Sequence, residues 1–94
     1  VNYGQENHTG FSTTGTLNNS PVVQSEYFAV FGYDGTSGTA KLTLVSDKPD
    51  AAGEFNISYA DGVLNFFNDQ TGYNVTPVYS YGGSIRVSEN KTLQ

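Results

Sequence analysis

The 94-residue sequence predicts an all-β fold, either a small antiparallel β-sandwich or an open barrel of five to six short strands. Gly, Asn, Ser and Thr are abundant and Leu, Ala, Glu and Lys are scarce, a composition that disfavours helices. Large apolar side chains alternate with small or polar ones along several stretches. Turn-forming residues separate these stretches at intervals of about 8–12 residues, as in small sandwiches and barrels.

Residues 1 to 20 are polar and rich in glycine, and their large apolar side chains, Tyr3, Phe11 and Leu17, are widely spaced. This spacing predicts an extended N-terminal arm (1–20) followed by a β domain (21–94). Two interpretations of the arm stay open. It is a mobile terminus, or it lies along a neighbouring subunit with the three side chains as anchors.

The first predicted strand covers residues 22 to 33. Its apolar side chains fall on both faces, so we expect it to be central or packed on two sides. They are Tyr27, Ala29 and Phe31 on one face, with Phe28, Val30 and Gly32 on the other. A loop over 34–39 follows, and the alternation after it predicts a second strand with Leu42 and Leu44 inward. These two strands are predicted to pair as a hairpin.

The next predicted hairpin turns at Asp61-Gly62, which suits a two-residue type I′ turn because both central positions need a positive φ. Phe55, Ile57 and Tyr59 alternate before the turn, so one face of the hairpin is apolar. The residue pairs that this turn predicts are Ala60 with Val63, Tyr59 with Leu64 and Ile57 with Phe66.

A further strand is predicted from Tyr73 to Tyr81. Pro77 lies within it and has no N–H group, so the strand is expected at a sheet edge or to be bulged. Ser84 to Ser88 alternates in the same way, with Ile85 and Val87 on one face, and predicts a short last strand. The three tyrosines Tyr73, Tyr79 and Tyr81 leave three interpretations open: a cover for the core, a protein interface, or a platform for sugar stacking.

The net charge of −5 and the four scattered basic residues argue against binding to nucleic acid or to anionic membranes. Cysteine is absent, which fits a bacterial or viral protein assembled in a reducing cytoplasm, or a bacterial surface module. Methionine is absent too, and the chain starts at Val1. That leaves open whether an initiator residue was lost or the chain was cut from a precursor.

No catalytic, metal or cofactor site is predicted, and the protein is expected not to be an enzyme. The single histidine, His8, is predicted to be solvated, and without cysteine a zinc site or nucleophilic triad lacks its parts. The segments at 34–38 and 47–50 lack the acidic spacing of an EF-hand loop. Five aspartates fall at turns, where local hydrogen bonding explains them: Asp34, Asp47, Asp50, Asp61 and Asp69.

From Gly53 to Tyr81 the sequence resembles a module that recurs in virion proteins of tailed bacteriophages. The shared pattern is a strand, a Gly-Val hairpin ending in Phe, a polar turn with Gly, and an aromatic strand ending in Tyr-x-Tyr. The matching residues are Gly53, Phe55, Ile57, Gly62, Val63, Leu64, Phe66, Gly72, Val75, Tyr79 and Tyr81. Pro77 departs from the pattern, which has a β-branched residue there.

The resemblance implies a structural protein of the virion, such as a capsid decoration or cement protein, a head fibre or a tail component. The implied partners are the major capsid or tail protein and sister subunits, with trimers or hexamers as natural closed forms. The predicted interface residues are Tyr3, Phe11, Leu17, Tyr73, Tyr79 and Tyr81. The alternative is an extracellular module on the bacterial surface, either adhesin- or pilin-like or carbohydrate-binding.

Overall fold

The computed structural model describes residues 2–36 and 38–82, and within them the fold is all-β, as predicted. The strands are β1 (Asn2–Gln5), β2 (Thr14–Thr16), β3 (Ala29–Tyr33), β4 (Thr39–Lys41), β5 (Thr43–Leu44), β6 (Glu54–Ser58), β7 (Val63–Phe66) and β8 (Thr76–Tyr81). They form two four-stranded sheets, sheet 1 in the order β1-β8-β3-β4 and sheet 2 in the order β2-β7-β6-β5. The predicted strand at 84–88 lies outside the described residues.

Side chains from both sheets form one core between them. Val30 and Tyr79 enter it from sheet 1, and Phe55, Leu64 and Phe66 enter it from sheet 2. The rings of Phe28 and Phe55 meet edge to face with centroids 5.8 Å apart. A few large rings therefore supply much of the burial in a chain with little aliphatic content.

The N-terminal segment is part of the sandwich, which corrects the predicted arm. β1 pairs with β8, β2 pairs with β7, and the side chains of Phe11 and Leu17 are buried in the core. Glycine makes this possible at Gly15, where a Cβ would lie 2.4 Å from the ring of Phe11. The segment is ordered by backbone pairing and two apolar anchors, so it needs no amphipathic alternation.

The β6–β7 hairpin forms as predicted, but its register is shifted by two residues. Ser58 pairs with Val63 and Phe55 pairs with Phe66. The connecting turn has four residues, and the amide of Gly62 donates to the Ser58 carbonyl at 2.8 Å. Because side chains alternate with a period of two, an even shift keeps the same residues on the core face.

The strand predicted after the loop 34–39 is divided between the two sheets. β4 pairs antiparallel with β3, which confirms the predicted hairpin, and β5 pairs parallel with β6. The chain crosses at Leu42, whose side chain is buried. The strand predicted over 22–33 is likewise shorter, since residues 24–28 are irregular and only β3 is regular.

The prediction that Pro77 marks a sheet edge is wrong, because β8 lies between β1 and β3. The amide of Glu6 donates to the Pro77 carbonyl at 3.1 Å, so the missing N–H faces the β1 side. Beyond this point His8 and Val75 exchange two bonds of 2.8 Å in the same register. The proline thus costs one bond at the end of the short β1, and the pairing of β8 with β3 is unaffected.

Candidate functional site

The outward side of sheet 1 carries an unusual concentration of aromatic side chains. Val30 and Gly32 of β3 are buried in the core, so Ala29, Phe31 and Tyr33 lie on the opposite face of the strand. None of these three is fully buried, because no further layer covers this side within the described residues. Both faces of this segment are apolar in sequence. One face enters the core, and the other lies on the outer side of sheet 1.

The register of sheet 1 brings more residues to this side. Val78 lies opposite Ala29, Thr76 opposite Phe31, and Tyr3 opposite Ser80. The side chain of Tyr3 is 79% exposed. We call this surface the outer aromatic face, and define it by Tyr3, Ala29, Phe31, Tyr33, Tyr73 and Val78.

Tyr73 joins the face through a stack with Tyr33. The two ring centroids are 4.0 Å apart and the rings are inclined by 3°. Hydrogen bonding to the Tyr73 hydroxyl, with the charge of that group as a second cause, raises the pKa of Tyr33 above its ordinary value of 10.0. The pair forms a stacked double ring at the end of β3, with 38% of Tyr73 still exposed.

The outer aromatic face carries little charge, although the chain as a whole is acidic. The outward positions of the four strands of sheet 1 hold one basic residue, Lys41, opposite Phe31, and no acidic residue. The net charge of the chain is −5. The strand positions of this face are therefore free of carboxylates, and the nearby carboxylate of Asp34 follows directly after β3, beside Tyr33.

A second group of polar side chains links the N-terminal segment to the rest of the fold. Glu6 accepts hydrogen bonds from the Tyr79 hydroxyl, from the backbone N–H of Asn18 at 3.2 Å and from Nε2 of His8 at 2.6 Å. Asn19 donates from its backbone and side chain to the Tyr79 hydroxyl, both at 3.2 Å. We call Glu6, His8, Asn18, Asn19 and Tyr79 the Glu6 network.

The Glu6 network shifts the pKa values of two of its side chains, Glu6 and Tyr79, in opposite directions. Burial raises the pKa of Glu6, but the hydrogen bonds from Tyr79, His8 and Asn18 outweigh it, and the net pKa lies below 4.5. Burial raises the pKa of Tyr79 above 10.0, and its hydrogen bond to Glu6 adds to the shift. Every oxygen of the Glu6 carboxylate has a partner, so the network acts as a structural clamp.

The prediction that His8 is solvated is wrong. Its side chain is 18% exposed, and its ring stacks on Phe11 with centroids 4.3 Å apart. The segment around it looked polar because its apolar contact, Phe11, is three residues away and the partner Glu6 is itself charged. The histidine covers the edge of the core.

The predicted interface residues do not lie on one surface. Phe11, Leu17 and Tyr79 are buried in the core of their own chain, which corrects their assignment to an interface. Tyr3 and Tyr73 belong to the outer aromatic face, and Tyr81 is half-buried beside Tyr79. Phe31 and Tyr33 were not among the predicted interface residues. The signal that marks them is an apolar face on a strand whose other face already enters the core.

The described residues contain no group of three His, Cys, Asp or Glu side chains placed to hold a metal ion. No helix within them is long and apolar enough to cross a membrane.

Comparison of the chain with protein-family models, with curated proteins and with solved structures finds no match.

Proposed function

We propose that this protein is a non-enzymatic structural component of a bacteriophage particle, and that it binds sister subunits through the outer aromatic face. The observation that carries the proposal is the uncovered sheet face with Phe31, Tyr33 and Tyr73. Surfaces of this composition, rich in Tyr and Phe and depleted of charge, are typical of the centres of protein interfaces. A role in a capsid or tail rests in addition on the resemblance of residues 53–81 to virion proteins.

Charge favours a second copy of the same chain as the occupant of this face. Two acidic proteins repel each other, and the repulsion is smallest where their carboxylates are farthest from the contact. The outward strand positions of sheet 1 hold no acidic residue, and the Asp34 carboxylate lies at the end of β3 beside Tyr33, so the centres of two such faces meet without opposed carboxylates. A symmetric contact would also cover the exposed ring of Tyr3.

Light scattering of the purified protein tests this contact. We expect the wild-type chain to be an oligomer, and the variant Phe31→Ser to be a monomer at the same concentration because its central apolar contact is lost. Phe67→Ser is the matched control, since Phe67 is 47% exposed just after β7 of the other sheet. We expect it to remain an oligomer. A wild-type monomer, or an equal effect of both variants, would contradict the proposal.

The place in the virion needs a separate measurement. Phage particles whose genome encodes this sequence are expected to contain the chain, at a stoichiometry set by the symmetry of the shell or tail, when their proteins are counted by mass spectrometry. Its absence from the particles would remove the virion assignment, even if the light scattering confirms self-association.

The stacked pair Tyr33–Tyr73 also favours a second candidate, a carbohydrate-binding module of the bacterial surface. Its ring stack is flat and lies next to Asp34 in sequence, and exposed rings with nearby carboxylates suit sugar rings and their hydroxyl groups. A glycan that raises the thermal midpoint of the wild-type chain, but not of Tyr73→Ser, would favour this function over the first.

A further inference from the structure

Tyrosine is the side chain of this protein that a one-electron oxidant reaches first. The chain contains seven Tyr and no Cys, Met or Trp. Sulfur side chains are common first sites of oxidation in proteins, and the indole of Trp also loses an electron easily. In their absence an electron removed from the chain comes from a phenol ring. The arrangement of the tyrosines then decides which of them react further.

Tyr33 and Tyr73 are arranged for coupling to each other. Their ring centroids are 4.0 Å apart and the rings are inclined by 3°, so the two ring planes are no more than 4.0 Å apart. Their hydroxyl groups are hydrogen-bonded, so the rings point the same way and the carbons ortho to the two hydroxyls face each other. A bond between two such carbons forms from p orbitals that are perpendicular to the ring planes. A parallel stack therefore holds the reacting orbitals toward each other.

The other tyrosines lack this geometry. Tyr79 and Tyr81 have centroids 5.7 Å apart and are inclined by 47°, and the Tyr79 hydroxyl is bound to Glu6 in the buried network. Tyr3 and Tyr27 are the most exposed, at 79% and 74%, but within residues 2–36 and 38–82 neither ring contacts another tyrosine ring. Exposure and stacking thus favour different residues.

We propose that the Tyr33–Tyr73 stack is a site of oxidative cross-linking, at which a one-electron oxidant such as a peroxidase with hydrogen peroxide joins the two rings as dityrosine. Each phenol gives one electron to the oxidant and its hydroxyl proton to water, and becomes a phenoxyl radical. The two radicals form one C–C bond between their ortho carbons. The C–H bond on each of these carbons then breaks, and a proton returns to each oxygen. The protein loses two hydrogen atoms in all, and the peroxide is reduced to two water molecules.

The cross-link joins two parts of the fold that are already held together. Gln70, in the loop between β7 and β8, accepts from the amide of Tyr33 at 2.8 Å and donates to its carbonyl at 2.9 Å. The backbone beside the stack is therefore fixed, and bond formation requires only a tilt of the rings. A covalent link between distant positions restricts the unfolded chain, so we expect the cross-linked protein to have a thermal midpoint several degrees higher.

Oxidation of the purified full chain by photo-oxidised ruthenium tris-bipyridine with persulfate tests the proposal. We expect dityrosine fluorescence, a monomer lighter by two hydrogen atoms, and a link that mass spectrometry of the digested chain maps to Tyr33 and Tyr73. Tyr73→Phe keeps the ring but lacks the phenol, and is expected to lose the link within the chain. Tyr27→Phe is the matched control, since it removes a more exposed phenol, and is expected to keep the wild-type yield.

An undiminished yield of intramolecular dityrosine in Tyr73→Phe would overturn the proposal. An equal loss in Tyr27→Phe would also overturn it, because exposure would then decide the reaction. The proposal does not rest on self-association, and Phe31→Ser separates the two. We expect this variant to form the link within one chain whether or not the wild-type protein is an oligomer. Links found only between chains would mean that the stack of a single chain does not couple, and would overturn the proposal.

Discussion

The Glu6 network shows how single polar side chains hold a segment with few apolar anchors. The Glu6 carboxylate lies 73 positions from Tyr79 in sequence, and its side chain is only 8% exposed. A buried carboxylate is stable only when hydrogen bonds replace the water that it loses. Here three donors do so, which is why β1 and the loop at 18–19 remain attached to β8.

Glu6→Gln is expected to destabilise the fold by about 1–3 kcal/mol at pH 7, because the amide group replaces one of the two acceptor oxygens that the Tyr79 hydroxyl and the Asn18 N–H use. The pKa of Glu6 is lowered in the folded state, so its contribution is present above the unfolded value of 4.5 and is lost as the pH falls through the folded pKa. Urea unfolding at pH 7 and pH 3 should therefore show a larger difference between variant and wild type at pH 7 than at pH 3.

The control for this prediction is Glu26→Gln, which removes an exposed carboxylate outside the network. We expect its effect to stay within about 0.5 kcal/mol at both pH values. If Glu6→Gln cost as much at pH 3 as at pH 7, the clamp would not depend on the charge of the carboxylate.

Contacts of this kind could not be predicted from the sequence. Gln70 is another example, being fully buried, accepting from the amide of Tyr33 at 2.8 Å and donating to its carbonyl at 2.9 Å. It ties the end of β3 to the loop that follows β7. Both side chains have partners more than 35 positions away, and polar residues in turn-rich segments carry no periodic signal that points to such partners.

At the scale of the elements, alternation determined which residues face the core, and turn geometry determined the register. The face of β6 and β7 was predictable because Phe55 and Phe66 belong to clear period-2 patterns. The turn was not, since Asp61-Gly62 fits both a two-residue loop and the last two positions of the observed four-residue turn. Gly62 has φ +72°, so the positive φ expected for it is present.

Gly62→Ala is expected to destabilise the hairpin more than an equivalent change elsewhere. A positive φ costs a residue with a Cβ about 1–2 kcal/mol. At Gly62 that Cβ would also lie 3.3 Å from the backbone oxygen of Asn19 and 3.4 Å from the Cβ of Leu17, and we expect this crowding to add roughly 1 kcal/mol. Denaturant unfolding gives the difference directly.

Gly38→Ala is the matched control, because Gly38 also has a positive φ, +56°, and an added Cβ there meets nothing within 4 Å. The stability lost in Gly38→Ala therefore measures the cost of the positive φ alone, without the cost of crowding. Equal losses for the two variants would show that the contact between this turn and the segment at 17–20 contributes nothing.

The division of one predicted strand at Leu42 has a tertiary cause. Leu42 is buried and its amide donates to the Val30 carbonyl of sheet 1 at 2.9 Å, whereas the next amide, that of Thr43, donates across to Gly53 of sheet 2 at 2.8 Å. Uninterrupted alternation through this region gave no sign of the crossing, because a continuous strand and a strand that changes sheets have the same local pattern. The crossing matters, since it connects β4 of sheet 1 to β5 of sheet 2.

At the scale of the whole molecule, composition and turn spacing predicted the all-β class. They did not predict which residues belong to the folded domain. The N-terminal segment was predicted to lie outside it because Phe11 and Leu17 are too far apart for any amphipathic pattern. In the fold they enter the same core from different points of an irregular path. In a chain of 94 residues with a small core, two buried apolar side chains are a large share of the total.

Deletion of residues 1–20 is therefore expected to abolish cooperative folding. The deletion removes β1, β2 and the side chains of Phe11 and Leu17 from the core. Truncation of a buried Leu or Phe typically costs about 2–5 kcal/mol, and domains of this size have about 5–15 kcal/mol in all. Thermal unfolding followed by circular dichroism should show a sigmoidal transition for the full chain and none for the shortened one.

Tyr3→Ser separates the structural role of this segment from its surface role. Tyr3 is 79% exposed on the outer aromatic face, so we expect its replacement to change the stability of the monomer by no more than about 0.5 kcal/mol. A segment that merely docked on a neighbour would behave differently, since its deletion would leave a stable monomer. A shortened chain that unfolds cooperatively at the wild-type midpoint would show that residues 1–20 form an arm outside the sandwich.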